Sequence, residues 1–232
     1  MFQNKLVPLY SLVNNHFQIY TSGLENISKE KNYIFAMNHQ SIMDIPIAFS
    51  FLVPHTVRQL NLYLSHKFYN FFLPLTLPLD MISINMNKGK STKITEHNKN
   101  QIKKGVEKLK QGNSALIYPE GITHGGKENK VIRGETGVIR LAIQSNISII
   151  PIGIRGSNHA YPFLINTYNP FIFKTKNPVH IKIGKEINLD KHHNIDLENQ
   201  SETTRNVLRR LTDELMEQLS SLSGLPRKIV AI

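Results

Sequence analysis

The sequence of 232 residues contains no cysteine and no tryptophan. Without cysteine the chain forms no disulfide, has no thiol nucleophile and offers no thiolate to a metal ion. The same absence suits a reducing cytoplasm. The chain also lacks any run of about 18 apolar, uncharged residues, so the sequence predicts no transmembrane helix.

Acidic residues are scarce as well, with 17 aspartates and glutamates against 28 lysines and arginines, which gives a formal net charge of +11. The basic excess is densest from Lys88 to Arg133, where ten lysines and one arginine stand against four glutamates. An anionic membrane surface and nucleic acid would both attract this charge, although single lysines are explained equally well as a solvated helix face. We expect no nucleic acid partner, because the aromatic residues lie in apolar runs rather than on a stacking platform.

Short apolar runs alternate with segments of helical periodicity along the whole chain. Strands are predicted at residues 33–37, 61–65, 81–84, 114–118, 148–154 and 179–183. Helices are predicted from Ile42 onward and at residues 91–111, 134–144 and 202–222. This alternation indicates a single α/β domain over residues 1–232, with a mostly parallel central sheet flanked by helices.

His39 and Asp44 lie between the first of these strands and the helix that follows it. At this spacing the carboxylate can accept a hydrogen bond from one ring nitrogen, which leaves the other free to take a proton from a hydroxyl. The pair is a hydrolase triad without its nucleophile, so the substrate would bring the hydroxyl. The alternative is a structural histidine beside a helix capping box formed by Ser41 and Asp44.

A second polar loop, Pro119-Glu120-Gly121, follows the strand predicted at residues 114–118. A carboxylate at the end of a strand is well placed to line a cleft, because loops on a rigid sheet carry function. The alternative is an ordinary turn, which proline and glycine also favour.

Together these segments resemble the glycerolipid acyltransferase family, which includes the bacterial lysophosphatidic acid acyltransferases. The run from Asn38 to Asp44 matches the first motif of that family, Tyr118 to His124 matches the third, and the apolar run around Pro151 matches the fourth. The resemblance implies a glycerol-3-phosphate acyltransferase-like fold, with a motif-bearing core at residues 33–157 and a C-terminal helix at residues 201–223. It also implies transfer of a fatty acyl group from acyl-CoA or an acidic acyl-carrier protein to the free hydroxyl of a lysolipid.

The residues and the resemblance together predict roles for individual residues. His39 is the expected general base and Asp44 orients it. Glu120 is expected to help bind the acceptor, while Asn38 and Ser41 brace the turn, and backbone N–H groups near Gly121 or Pro151 are candidates to stabilise the oxyanion. The candidate substrate-binding residues are Glu120, Gly121, Asn38, Ser41, Lys67, Thr123 and Arg133.

The chain departs from the family at two arginines that are associated with the acceptor phosphate. Met86 and Thr123 occupy those positions, and neither can grip a phosphate as a guanidinium does. Nearby cations could replace them, namely Lys67, Lys88, Lys90 or Arg133. Otherwise the acceptor is not 1-acyl-sn-glycerol-3-phosphate, the precursor of phosphatidic acid, but another lysolipid such as a lyso-ornithine lipid. A rival hypothesis is a basic membrane- or nucleic-acid-binding protein on the same fold, without catalysis.

Two segments are candidates for contact with lipid. Residues 1–20 could form a docking segment like the membrane-associated N-termini of the family, and the aromatic run at residues 68–79 could lie in the core or dip into the lipid interface. We therefore expect a peripheral protein on the cytoplasmic side of a membrane.

Other kinds of site find little support in the sequence. The run Gly89–Thr92 imitates the end of a P-loop, but Ile84 replaces the earlier glycine that the motif requires. No Gly-x-Ser-x-Gly elbow of a serine hydrolase occurs. His192 and His193 have no further ligand at a useful spacing, so we expect neither a metal nor a cofactor.

Overall fold

The central sheet contains seven strands within the residues that the computed structural model describes, which are 18–41, 43–56, 59–65, 81–84, 92–121, 129–160, 178–198 and 201–228. The strands are β1 Ile19–Ser22, β2 Ile34–Met37, β3 Leu60–Ser65, β4 Met81–Ile84, β5 Ser114–Ile117, β6 Ile149–Arg155 and β7 Val179–Ile183. Their order is β1-β7-β6-β2-β5-β3-β4, and only β6 and β7 pair in antiparallel fashion. The predicted mostly parallel α/β fold is confirmed.

The helices follow the strands as the alternation of the sequence predicts. They are α1 Asp44–Leu52, α2 Thr92–Lys110, α3 Gly137–Ser145, the single turn α4 Ser157–Ala160, and α5 Glu202–Ser223. Short 3₁₀ turns occupy Leu24–Asn26, Val53–His55 and Asp190–His192. The longest helix, α5, begins where the Ser201 hydroxyl accepts a hydrogen bond from the Thr204 N–H (3.1 Å) and ends at Gly224, whose φ of 64° a residue without Cβ adopts freely.

Strand β2 lies at the centre of the sheet and is buried on both faces. Its side chains alternate, so that Phe35 and Met37 pack in the apolar layer beneath α1. Ile34 and Ala36 pack in the opposite layer, with α3 and α5. Close packing on both faces holds this strand firmly in place, and it therefore fixes the position of the residues that follow Met37.

The structure corrects two details of the sequence interpretation. The helix predicted from residue 134 begins at Gly137. The residues before it are held in another way, because the Glu135 N–H donates to the Pro119 carbonyl (2.8 Å) and the Gly134 carbonyl accepts from Arg209 (2.7 Å). Strand β1, which was not predicted, pairs with β7 at the edge of the sheet and is too short and too exposed to leave a clear apolar pattern.

The described helices include none that is both long enough and apolar enough to cross a membrane. The aromatic run at residues 68–79 lies outside the described residues. The same is true of residues 1–17 of the predicted docking segment, whereas Ile19 and Tyr20, at its end, belong to β1.

We expect Gly153→Ala in β6 to lower the free energy of unfolding by about 1–3 kcal/mol, because the added Cβ would overlap the backbone of Leu222 and Ser223 at the end of α5. Gly137→Ala is the matched control, since nothing lies within 4 Å of its added Cβ. At that helical position alanine should stabilise the protein by roughly 0.4–1 kcal/mol. Urea unfolding of both variants measures the difference, and equal effects would contradict close contact between β6 and α5.

Candidate active site

His39 and Glu120 meet at one edge of the sheet because β2 is parallel to both β5 and β6. The carboxyl ends of parallel strands lie at the same edge, where ligands bind in open α/β sheets. His39 follows the end of β2 and Glu120 follows the end of β5. The two residues, 81 positions apart in sequence, are in direct contact.

The hydrogen bond predicted between His39 and Asp44 is present, with 2.9 Å between Nδ1 and Oδ2. The same carboxylate oxygen accepts from the backbone N–H groups of Gln40 (2.7 Å) and Ser41 (2.9 Å). Asp44 is the first residue of α1 and is fully buried. Since the carboxylate requires a donor at Nδ1, the tautomer assigned to a neutral His39 leaves Nε2 as a proton acceptor.

The capping interpretation of Ser41 and Asp44 is compatible with this pairing. The Asp44 carboxylate reaches back to the Ser41 N–H, and the Ser41 hydroxyl accepts from the Met43 N–H (3.2 Å). One carboxylate therefore closes the turn before α1 and holds the imidazole. The N-cap of α1 is Met43, which makes no side-chain cap hydrogen bond, so only the bond from the Ser41 N–H to Asp44 matches the predicted box. The catalytic role of His39 stays a prediction.

The His39 ring stacks on Tyr118, with 4.0 Å between ring centroids and an interplanar angle of 23°. Burial, and secondly the negative charge of Asp44, raise the pKa of the Tyr118 phenol well above its ordinary value. The tyrosine is therefore neutral and serves as a flat apolar support for the imidazole. Tyr118 was not among the predicted site residues, although it stands directly before Pro119 and Glu120 in the sequence.

Glu120 lies between two backbone segments and accepts a hydrogen bond from each. Its Oε1 accepts from the His39 N–H (2.9 Å) and its Oε2 from the Ile132 N–H (3.2 Å). Burial raises the pKa of the carboxyl from its ordinary 4.5 to about 7, against the opposing effect of these two bonds and with a smaller contribution from the charge of Asp44. Glu120 thus connects the turn after β2 with the segment that contains Ile132. Its expected contact with the acceptor stays a prediction.

The turn is also fastened to β6, on the other side of β2. The Asn38 amide donates to the Ile154 carbonyl (2.9 Å) and accepts from the Ile154 N–H (2.7 Å). The Gln40 side-chain oxygen accepts from the Gly156 N–H (3.0 Å). Asn38 braces the turn as expected, whereas Gln40 had not been selected as a functional residue.

Some of the backbone groups expected to stabilise an oxyanion form hydrogen bonds within the fold. The Gly121 N–H donates to the Tyr118 carbonyl (3.0 Å), and its φ of 72° closes that turn. Pro151 lies inside β6, so the backbone on either side of it runs within the ladders to β2 and β7. The Gly121 N–H is thus used inside its own turn, and the expectation of an oxyanion donor near Gly121 or Pro151 stays a prediction.

The remaining candidate residues fall into two groups. Arg133 is exposed and directly follows Ile132, whose N–H binds Glu120. Lys67 and Thr123 lie outside the described residues, as do Met86, Lys88 and Lys90. Within the part of the chain that the structure describes, no group of three histidine, aspartate or glutamate side chains could hold a metal ion.

Known proteins resemble this chain across the region that carries the site. A family model described as Acyltransferase matches residues 18–155. A 1-acyl-sn-glycerol-3-phosphate acyltransferase from Borreliella burgdorferi is 27% identical over 146 residues, which are 62% of this chain. The match spans about half of that relative, 54% of its length.

A solved structure shares the fold. The 1-acyl-sn-glycerophosphate (LPA) acyltransferase PlsC from Thermotoga maritima superimposes with a TM-score of 0.57 and 20% sequence identity. The superposition covers 92% of this chain and 78% of the other.

We expect Glu120→Gln to change how stability depends on pH. The folded state raises the pKa of Glu120 from 4.5 to about 7, so this group stabilises the fold fully below pH 4.5 and loses that contribution as the pH rises to about 7. Glutamine does not titrate. The free energy of unfolding of the wild type should therefore fall, relative to that of the variant, by on the order of 3 kcal/mol across this range. Urea unfolding at several pH values measures it, and a constant difference would show that Glu120 titrates normally.

Proposed function

The chain belongs to the Acyltransferase family, and from that membership we propose that it transfers a fatty acyl group from a thioester to the free hydroxyl of a lysolipid. We propose 1-acyl-sn-glycerol-3-phosphate as acceptor and phosphatidic acid as product, in keeping with the name of the Borreliella burgdorferi relative. The observation that carries the proposal is the buried 2.9 Å hydrogen bond between His39 and Asp44 at the carboxyl edge of the sheet.

In the proposed reaction His39 is the general base. Its Nε2 takes the proton of the lysolipid hydroxyl while the hydroxyl oxygen attacks the thioester carbonyl. The tetrahedral intermediate then collapses, the C–S bond breaks, and the proton passes from Nε2 to the departing thiolate. The new C–O bond forms directly on the acceptor, so no acyl-enzyme is needed, and the chain has no cysteine to form a thioester.

The surroundings of His39 suit this proton transfer. The imidazolium that forms lies against the Asp44 carboxylate, which stabilises the positive charge. Stacking on Tyr118 and the backbone bond to Glu120 restrict the movement of the ring and of its main chain. A base held in one orientation gains rate, because less freedom is lost as the transition state forms.

The proposed partners follow from charge. A net charge of +11 favours anionic lipid at a membrane surface, and also the phosphates of acyl-CoA or an acidic acyl-carrier protein as donor. We propose Arg133 as the cation for the acceptor phosphate, since it is exposed and adjoins the residue whose N–H binds Glu120. A second candidate acceptor is a lysolipid without that phosphate. It is favoured by Met86 and Thr123, which stand where the family has arginines.

We expect His39→Ala to lower kcat by about 10²–10⁴-fold, the usual worth of general-base catalysis, with the fold intact. Release of thiol from acyl-CoA is the assay, with lysophosphatidic acid and a phosphate-free lysolipid compared side by side. His180→Ala is the matched control, because this exposed imidazole stacks on Tyr20 and should leave kcat unchanged.

Wild-type turnover by His39→Ala would exclude the mechanism. If the wild type is inactive with both acceptors, acyl-carrier protein is tested as donor. Inactivity with that donor as well would favour the non-catalytic binding protein.

We expect Arg133→Ala to raise KM for lysophosphatidic acid by about tenfold or more, because a charge-assisted hydrogen bond to phosphate is lost. The KM for a phosphate-free lysolipid should not change. Arg205→Ala, which removes one exposed charge from α5, controls for the general loss of positive charge. Equal effects of the two variants would remove Arg133 from the phosphate site.

A further inference from the structure

Helix α5 and the residues that follow it carry an ion cluster that is larger than an ordinary surface pair. Arg209 binds Asp213 through Nε (3.0 Å) and Nη2 (2.9 Å), and Arg227 binds the same carboxylate. Arg227 also lies 3.6 Å from Glu217, measured from Nη1 to Oε2. We call these four residues the Asp213 cluster.

The arginines of the Asp213 cluster are mostly shielded from solvent. The side chains of Arg209 and Arg227 are 21% and 18% exposed, while those of Asp213 and Glu217 are 40% and 70% exposed. In the neighbouring pair on α5, Arg210 and Glu214 are 64% and 61% exposed and 3.9 Å apart. Shielding strengthens charge interactions and limits screening by salt. The cluster can therefore hold a neighbouring backbone in place, which an exposed pair does poorly.

The backbone held by the cluster is the segment at residues 131–135. Arg209 donates through Nη1 to the Gly134 carbonyl (2.7 Å). At the other end Val131 pairs with the residues on either side of Arg227, since its N–H donates to the Pro226 carbonyl (3.0 Å) and its carbonyl accepts from the Lys228 N–H (2.8 Å). Arg209 therefore binds one end of the segment directly, and the other end pairs with the main chain on either side of Arg227.

The same segment makes the contacts that support the base. The Ile132 N–H donates to the Glu120 side chain (3.2 Å). The Glu135 N–H donates to the carbonyl of Pro119, which directly precedes Glu120 (2.8 Å). Glu120 in turn accepts from the His39 N–H (2.9 Å). Hydrogen bonds, joined by short stretches of main chain at residues 132–135 and 119–120, therefore connect Asp213 to the His39 N–H.

We propose that the Asp213 cluster is a positioning device for His39, acting through the segment at residues 131–135 and Glu120. The inference rests on the proposed function, because it assigns His39 as the base. Asp213, Arg209 and Arg227 are positioning residues that do not touch substrate. Loss of the cluster lets Ile132 move away from Glu120, so the backbone of His39 loses one side of its support.

The test uses the full chain and two variants with one control. Asp213→Asn removes the shared charge. Arg209→Lys keeps a cation beside Asp213, but lysine has no planar group that can also donate to the Gly134 carbonyl. This second variant tests the inference if Asp213→Asn does not fold. Arg210→Ala is the control, because it breaks the exposed pair with Glu214 on the same helix.

Amide hydrogen exchange, followed by NMR on the protein without substrate, is measured first. We expect exchange at Ile132 and His39 to be about tenfold faster or more in both variants and unchanged in Arg210→Ala. Steady-state kinetics then follow with acyl-CoA and the preferred lysolipid. We expect kcat to fall about tenfold with KM within about twofold, since misplacing a catalytic group by ~1 Å costs up to about 10²-fold.

The outcomes separate this inference from the proposed function. If the wild type turns over and both variants keep the kcat and exchange rates of Arg210→Ala, the cluster merely stabilises α5 and the inference fails. A lower melting temperature with unchanged kcat would overturn the inference in the same way. If the wild type does not turn over with either donor, the proposed function fails, whatever the exchange rates are.

Discussion

The rest of the site depends on the hydrogen bonds that the buried Asp44 carboxylate accepts. A charge in the core is costly unless hydrogen bonds replace the water that it loses. Here one oxygen accepts three, from the His39 ring and from the backbone of Gln40 and Ser41. The turn after β2 must wrap around this oxygen to supply the donors, and that wrapping starts α1 and orients the imidazole.

The second carboxyl group of the site behaves differently because of its surroundings. Glu120 is almost as buried as Asp44 but accepts from two backbone groups in separate segments, and burial raises its pKa to about 7. Asp44 therefore orients the ring of His39 by binding Nδ1, while Glu120 binds the backbone N–H of the same residue. Two acids in different environments therefore hold His39 in place from two directions.

Much of this could be predicted from the sequence where the contacts are local. His39 and Asp44 are five residues apart, so strand and helix patterns sufficed to pair them. The contacts of Glu120 with His39 and of Asn38 with Ile154 span 81 and 116 residues and depend on β2 lying between β5 and β6, an order that no local pattern encodes. The Gly121 N–H binds inside its own turn because the φ of Gly121 is 72°. Glycine adopts positive and negative φ about equally well, so the sequence alone does not determine this turn.

The place of β2 in the strand order has a consequence for how the chain matures. Both neighbours of β2 are synthesised long after it, and β6 ends only at Arg155. Pairings between distant parts of a chain form slowly, because loops must close before any contact rewards them. The histidine turn can thus begin to form early on its own helix, yet it gains its supports only when more than half of the chain has been made. The contacts that hold His39 from β5 and β6 are therefore absent from a growing chain until Arg155 has been made.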